Sequence, residues 1–129
     1  MAWKSTKKRP IHLIISDVST CKQLSQLLNK IPVEVKIFES AEVFLAAPIS
    51  ESPACLITEV NLGDSDAITF IKELRKHGLS TPVVVLADGN NSVNTAVKAI
   101  QAGASDFIEK PIVERDFIER VKKVLTINN

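Results

Sequence analysis

Five short strand-like segments, each followed by a segment with helical spacing, constrain the fold of this chain more than any other feature. The strand-like segments are Ile11–Ile15, Val33–Phe38, Ala54–Glu59, Pro82–Ala87 and Ser105–Glu109. A short continuous apolar run bounded by turn residues reads as a strand, and strand–helix alternation implies a parallel sheet with helices on both faces. Right-handed crossovers leave few topologies, so the expected fold is α/β, a doubly wound five-stranded parallel sheet in the order 2-1-3-4-5. Val33, Val35 and Ile37 alternate with Glu34 and Lys36, which predicts an edge strand with one wet face.

The intervening segments carry helix signals. Leu24, Leu27, Leu28 and Ile31 follow the Ser16–Thr20 turn at i, i+3, i+4 and i+7, with Pro32 as the expected stop. Ser40 reads as the cap of a short second helix. Asp64-Ser65-Asp66 opens a third, with Ala67, Ile71 and Leu74 inward and Gly78 as its end. After the Asp88–Asn91 turn, Ser92 caps a fourth, in which Val93, Ala96, Val97 and Ile100 are expected to face the core. A closing helix over Val113–Leu125 presents Phe117, Val121 and Val124 inward.

The chain has 129 residues with 45% hydrophobic and 24% charged content, enough for one domain that needs neither disulfide nor metal to fold. A formal net charge of +1 gives no overall electrostatic case for nucleic acid or an anionic membrane as partner of this domain. No apolar run approaches the ~20 residues of a membrane-spanning helix. With Cys21 and Cys55 read as reduced, a cytoplasmic location is expected. The expected organisation is a basic flexible arm over residues 1–10, with Trp3, Lys4, Lys7, Lys8 and Arg9, then a domain over 11–126 and a tail over 127–129.

The third run ends in Glu59, and in an open parallel sheet chemistry collects outside the carboxyl ends of the strands. The strand order brings Ser16, Asp17 and Glu59 to one crevice, with Ala87 and Lys110 entering from neighbouring strand ends. Asp64 and Asp66 read as helix caps. His12 and His77 lack clustered partners, so no metal set is expected.

The run Ala102-Gly103-Ala104-Ser105-Asp106-Phe107-Ile108-Glu109-Lys110-Pro111, with Ser40-Ala41-Glu42-Val43-Phe44-Leu45 as a weaker second match, resembles the receiver domain of bacterial response regulators over roughly Ile11 to Leu125. The resemblance implies a flavodoxin-like receiver fold. It also implies an aspartate that accepts a phosphoryl group from a histidine kinase, an acidic pair that binds Mg²⁺, a Thr or Ser and an aromatic residue that respond, and a Lys before a Pro. Here Glu59 stands at the phosphoacceptor position, Ala87 at the Thr or Ser position, Phe107 at the aromatic switch, and Lys110 with Pro111, a cis-proline candidate, at the Lys-Pro pair. An ungapped alignment puts Ile15 and Ser16 at the acidic pair, with Asp17 just beyond; a shift of one residue puts Ser16 and Asp17 there.

Either alignment removes a carboxylate, so Mg²⁺ binding is expected to be weak or absent. The extra methylene of Glu59 displaces the nucleophile by more than a positioned reaction tolerates. The leading expectation is a pseudo-receiver that is not an enzyme, has no cofactor and takes no phosphoryl group from a histidine kinase. It would act through protein partners or as a homodimer on the face of helix 4, strand 5 and helix 5. Asn94, Lys98, Gln101, Arg115, Glu119 and Lys122 are its candidate contacts. A DNA-binding output domain, where one follows, would carry any role in transcription. The alternatives are a phosphoacceptor at Asp17 or Asp64, and a flavodoxin-like flavin binder using the Ser19-Thr20 turn. A Glu59–Lys110 ion pair is expected to take the place of metal and phosphate.

Overall fold

The computed structural model describes residues 9–47, 53–63, 65–89 and 93–127. Five strands, β1 (Ile11–Ile14), β2 (Val35–Phe38), β3 (Cys55–Glu59), β4 (Val83–Ala87) and β5 (Asp106–Glu109), alternate with five helices. The helices are α1 (Val18–Leu28), α2 (Ala41–Ala46), α3 (Ala67–Lys76), α4 (Val93–Ala102) and α5 (Glu114–Ile127). All strand pairings are parallel and the order is β2-β1-β3-β4-β5, as the alternation requires. The expected Ser92 cap, the end of the Asp88–Asn91 turn, the Asp64 cap and residues 1–8 of the basic arm lie outside the described residues. Among the described residues no helix is long and apolar enough to cross a membrane.

β1 and β4 are buried along their whole length, and β3 up to its last residue. Their side chains alternate between two cores. One, with Leu13, Ile15, Ile57, Val84 and Leu86, packs under α1 through Leu24 and Leu28 and under α5 through Phe117, Val121 and Val124. The other, with Ile14, Leu56, Val83 and Val85, packs under α2, α3 and α4 through Phe44, Phe70, Ile71, Leu74 and Ala99.

Caps set the helix starts. Asp17, Ser40 and Asp66 accept the backbone N–H of Thr20, Val43 and Thr69 and begin α1, α2 and α3. Helix α1 ends at Leu28, short of Pro32, although Ile31 stays buried beyond the helix.

Two expectations fail. Ile37 is 54% exposed, because β2 is an edge strand whose inner face is covered only in part; Val33 and Val35 pack against the core. On α4 only Ala99 is buried, while Val93 is 81%, Val97 44% and Ile100 48% exposed. The helical spacing is real, but α4 approaches the sheet through the small Ala99, roughly opposite Val97 on the helix at ~100° per residue.

Arg75 at the end of α3 ties the α3–β4 and α4–β5 connections together. Its guanidinium donates to the carbonyls of Leu79 at 2.9 Å, Thr81 at 2.8 Å and Gly103 at 2.8 Å. Gly103 has φ +117°, and a Cβ there would sit 2.9 Å from Arg75 Nε, so both the backbone and the guanidinium require glycine. Replacing Arg75 by Lys keeps the charge but not the fork; the expected cost is about 1–3 kcal/mol by urea denaturation. An unchanged midpoint would contradict this role.

His12, 2% exposed on β1, lies against Phe38 and Phe44 with ring centroids 5.1 and 5.7 Å away. Neither ring nitrogen has a hydrogen-bond partner among the described residues. Burial, with Lys36 adding to it and Glu34 opposing, lowers its pKa from the ordinary 6.5. The unfolded chain therefore binds this proton more readily, so the His12 contribution is full above about pH 6.5 and is lost as pH falls. Unfolding free energy is expected to drop between pH 7.5 and 5.5, and His12→Leu should flatten that profile. Parallel profiles for the two proteins would refute the assignment to His12.

Candidate functional site

The carboxyl ends of β1, β3 and β4 and the start of the β5–α5 connection surround a cleft of about 210 Å³ lined by Ser16, Asp17, Glu59, Val60, Asn61, Leu86, Asp88 and Lys110. Backbone bonds fix its rim. Val60 N–H donates to the Leu86 carbonyl at 3.0 Å, Lys110 N–H to the Ala87 carbonyl at 2.8 Å, and Ala67 N–H to the Val60 carbonyl at 2.8 Å. The Lys110–Pro111 bond is cis.

Lys110 is the centre of the cleft. Its ammonium donates to Thr20 Oγ1 at 3.2 Å and to Glu59 Oε2 at 3.4 Å, and lies 3.7 Å from Asp88 Oδ1. The Glu59 side chain is 14% exposed and that of Lys110 27%, whereas Asp88 is 64% exposed. The Asp88 contact is therefore screened and worth little, and Glu59 is the partner that matters.

Asp17 caps α1, and its Oδ2 accepts the Thr20 hydroxyl at 2.7 Å and the Thr20 N–H at 2.9 Å. The hydroxyl first, then the N–H, hold Asp17 below the ordinary carboxylate range. Cys21, on the next turn position, is pushed up by burial and by the charges of Glu59 and Asp17.

The positions expected from the sequence divide into two groups. Ser16, Asp17, Glu59 and Lys110 meet in the cleft, and Ile15 does not: it is 2% exposed in the core under α1. Ala87 is buried in β4 and Phe107 is half-buried against the opposite core, and neither lines the cleft. Asp64 lies outside the described residues. Asp66 caps α3 and bridges to Asn61. Asn94, Lys98, Gln101, Arg115, Glu119 and Lys122 are all exposed. Thr20 and Asp88 escape a sequence reading that treats them as turn residues; the available signal was a threonine three positions after the capping aspartate, and an aspartate one residue past a buried strand.

This donor set does not fit Mg²⁺. The cation needs several hard oxygen ligands in a near-octahedral shell. Here Asp17 is engaged by Thr20, Glu59 and Asp88 face an ammonium, and Ser16 supplies only a hydroxyl. Among the described residues no three His, Cys, Asp or Glu side chains are grouped to hold a metal.

A family model described as the response regulator receiver domain matches residues 11–122. The chain is 32% identical over 116 residues to the transcriptional regulatory protein FixJ of Azorhizobium caulinodans, covering 90% of this chain and 54% of that protein. It is 31% identical over 117 residues to the response regulator protein TmoT of Ectopseudomonas mendocina, covering 91% and 53%. It thus spans about half the length of the curated relatives it matches. The crystal structure of a response regulator receiver protein from Pseudoalteromonas atlantica superposes with a TM-score of 0.84 at 33% identity, covering 92% of this chain and 98% of that one. Full-length FixJ from B. japonicum also gives 0.84, at 26% identity, with 93% and 59% covered.

Among the described residues the cleft is lined by the carboxylates Asp17, Glu59 and Asp88 and the Lys110 ammonium, so its two sides respond differently to deletion. Lys110→Met leaves those charges facing one another and is expected to cost about 2–3 kcal/mol, whereas Glu59→Gln leaves Lys110 with Thr20 and Asp88 and should cost about 1 kcal/mol. Urea denaturation at neutral pH gives both values; the reverse ranking would remove Lys110 from the centre of the network.

Proposed function

The chain belongs to the response-regulator receiver family, and from that premise we propose that it is a receiver whose phosphorylation chemistry has been replaced by a fixed ion-pair network and which acts by binding protein partners, a second copy foremost. The observation that carries this reading is the Lys110 ammonium held between Glu59 and Thr20 in the cleft where the family's phosphoacceptor would stand.

Phosphoryl transfer between oxygens is catalysed almost entirely by positioning and by neutralising charge as it develops. Glu59 carries its carboxylate one methylene further out, into contact with Lys110, which is then committed to an internal anion. Ser16 and the engaged Asp17 favour neither metal binding nor attack by Asp17. Ala87 offers no hydroxyl through which an anion in the cleft could reach Phe107. A single conformation, independent of a histidine kinase, follows from these four positions. A flavin reading finds little support in a cleft of about 210 Å³ rimmed by charge, since cofactor sites are mostly apolar and run to roughly 300–1,000 Å³.

The face of α4, β5 and α5 is the proposed contact surface. To the polar candidates it adds Val97 and Ile100, exposed on α4 beside Lys98 and Gln101. In a longer protein such a module would set the assembly of an output segment, and a role in transcription would belong to that segment.

Intact mass after incubation with acetyl phosphate and Mg²⁺ tests the chemistry. No phosphoryl adduct is expected on the wild-type chain, and the Ser16→Asp, Glu59→Asp pair is expected to gain one. A stoichiometric adduct on the wild type would overturn the reading. Sedimentation tests the surface: wild type should self-associate and Ile100→Glu should not, whereas identical behaviour of the two would move the interface elsewhere.

A further inference from the structure

Thr20 lies in the first turn of α1, 7% exposed, and is the one hydroxyl in contact with the Lys110 ammonium among the described residues. Its oxygen has one proton to give and two lone pairs to offer. The proton is committed to Asp17 Oδ2 at 2.7 Å, a charge-assisted bond and so the stronger of the two it makes. What remains for Lys110, at 3.2 Å, is a lone pair. The bonds therefore run in one direction, from Lys110 to Thr20 to Asp17. The Thr20 backbone N–H donates to the same Oδ2, which holds the carboxylate beside the hydroxyl.

We propose that Thr20 is the positioning residue of this cleft, whose hydroxyl, oriented by Asp17, holds the Lys110 ammonium against α1 and thereby fixes the Lys110–Glu59 pair. The inference rests on reading the cleft as a fixed ion-pair network, and it adds α1 to the strand ends that network joins. Lys110 sits on the β5–α5 connection, Glu59 ends β3, and Thr20 reaches them from a helix 90 residues away in sequence from the lysine. Without the hydroxyl, the ammonium keeps Glu59 and the solvent-exposed Asp88, both at longer range. The ammonium has three N–H groups, of which Thr20 and Glu59 take two, so an acidic group entering the cleft can meet the third, but it moves the lysine toward itself only by breaking the α1 contact, which acts as a latch on the side chain.

The nucleophilic reactivity of Lys110 reads this latch directly. Acetic anhydride acylates the amine only where the nitrogen is free to approach it, and a lost acceptor releases the side chain. Lys72, exposed on α3, serves as internal reference, followed by peptide mass spectrometry under native conditions. Thr20→Val, which keeps the branched shape, is expected to raise the Lys110 to Lys72 labelling ratio about fivefold, equivalent to about 1 kcal/mol for one hydrogen bond. Thr20→Ser should keep the wild-type ratio. If the Thr20 hydroxyl served only to hold the Asp17 cap of α1, Thr20→Val would lower stability without moving the ratio, and that result overturns the proposal, as would a Ser variant that behaves like the Val variant. Should Thr20→Val fail to fold, Thr20→Cys, with a weakly accepting thiol, is read by the same criterion. Phosphorylation of the wild type by acetyl phosphate would overturn the reading of the silent cleft, while the labelling ratio alone decides the role of Thr20.

Discussion

β1, β3 and β4 are buried on both sides and mostly apolar, so the sheet is stable only while helices cover both of its faces, and the charged groups of the cleft are left at the strand ends. That constraint explains why α1 and α5 share one face and α2, α3 and α4 the other. It also explains why Glu59 is the first charged side chain β3 reaches: the four residues before it are buried. At roughly 25 cal/mol for each Å² of apolar surface removed from water, the two cores outweigh any ion pair in the molecule, and the site is a passenger on that framework.

Within the site, charge balance decides the arrangement. One ammonium among three carboxylates settles where it meets a partly buried acceptor, Glu59, and a neutral oxygen already polarised by another carboxylate, Thr20. Surface pairs such as Lys30–Glu114, at 2.6 Å with both side chains more than half exposed, add little to stability by comparison. The weight of the Lys110 network lies in specificity of arrangement. It joins α1, β3 and the β5–α5 connection at the carboxyl ends of the strands.

Much of the fold was legible in the chain because strand and helix signals are local. The Ser40 and Asp66 caps, the inward faces of α1, α3 and α5, and the edge position of β2 all appear where spacing and turn chemistry place them. The failures share a cause. Val93, Val97 and Ile100 form an apolar stripe as clear as that of α1, yet it faces outward, because spacing identifies a stripe without saying what covers it. Ile37 is exposed for the same reason at a sheet edge. Ile15 and Ser16 are adjacent, and only the pleat sends one to the core and the other to the cleft.

By itself the sequence determined the alternation of strands and helices, the parallel sheet it requires and the placing of Glu59 at the end of a buried strand, since these are properties of single residues and their near neighbours. Only the tertiary structure decided that α4 shows its apolar stripe to solvent, that Ser16 and not Ile15 faces the cleft, and that Thr20 and Glu59 both reach Lys110. Those outcomes depend on contacts between segments 51 and 90 residues apart, whose distances are set by how helices settle on the sheet and leave no periodic trace in the chain.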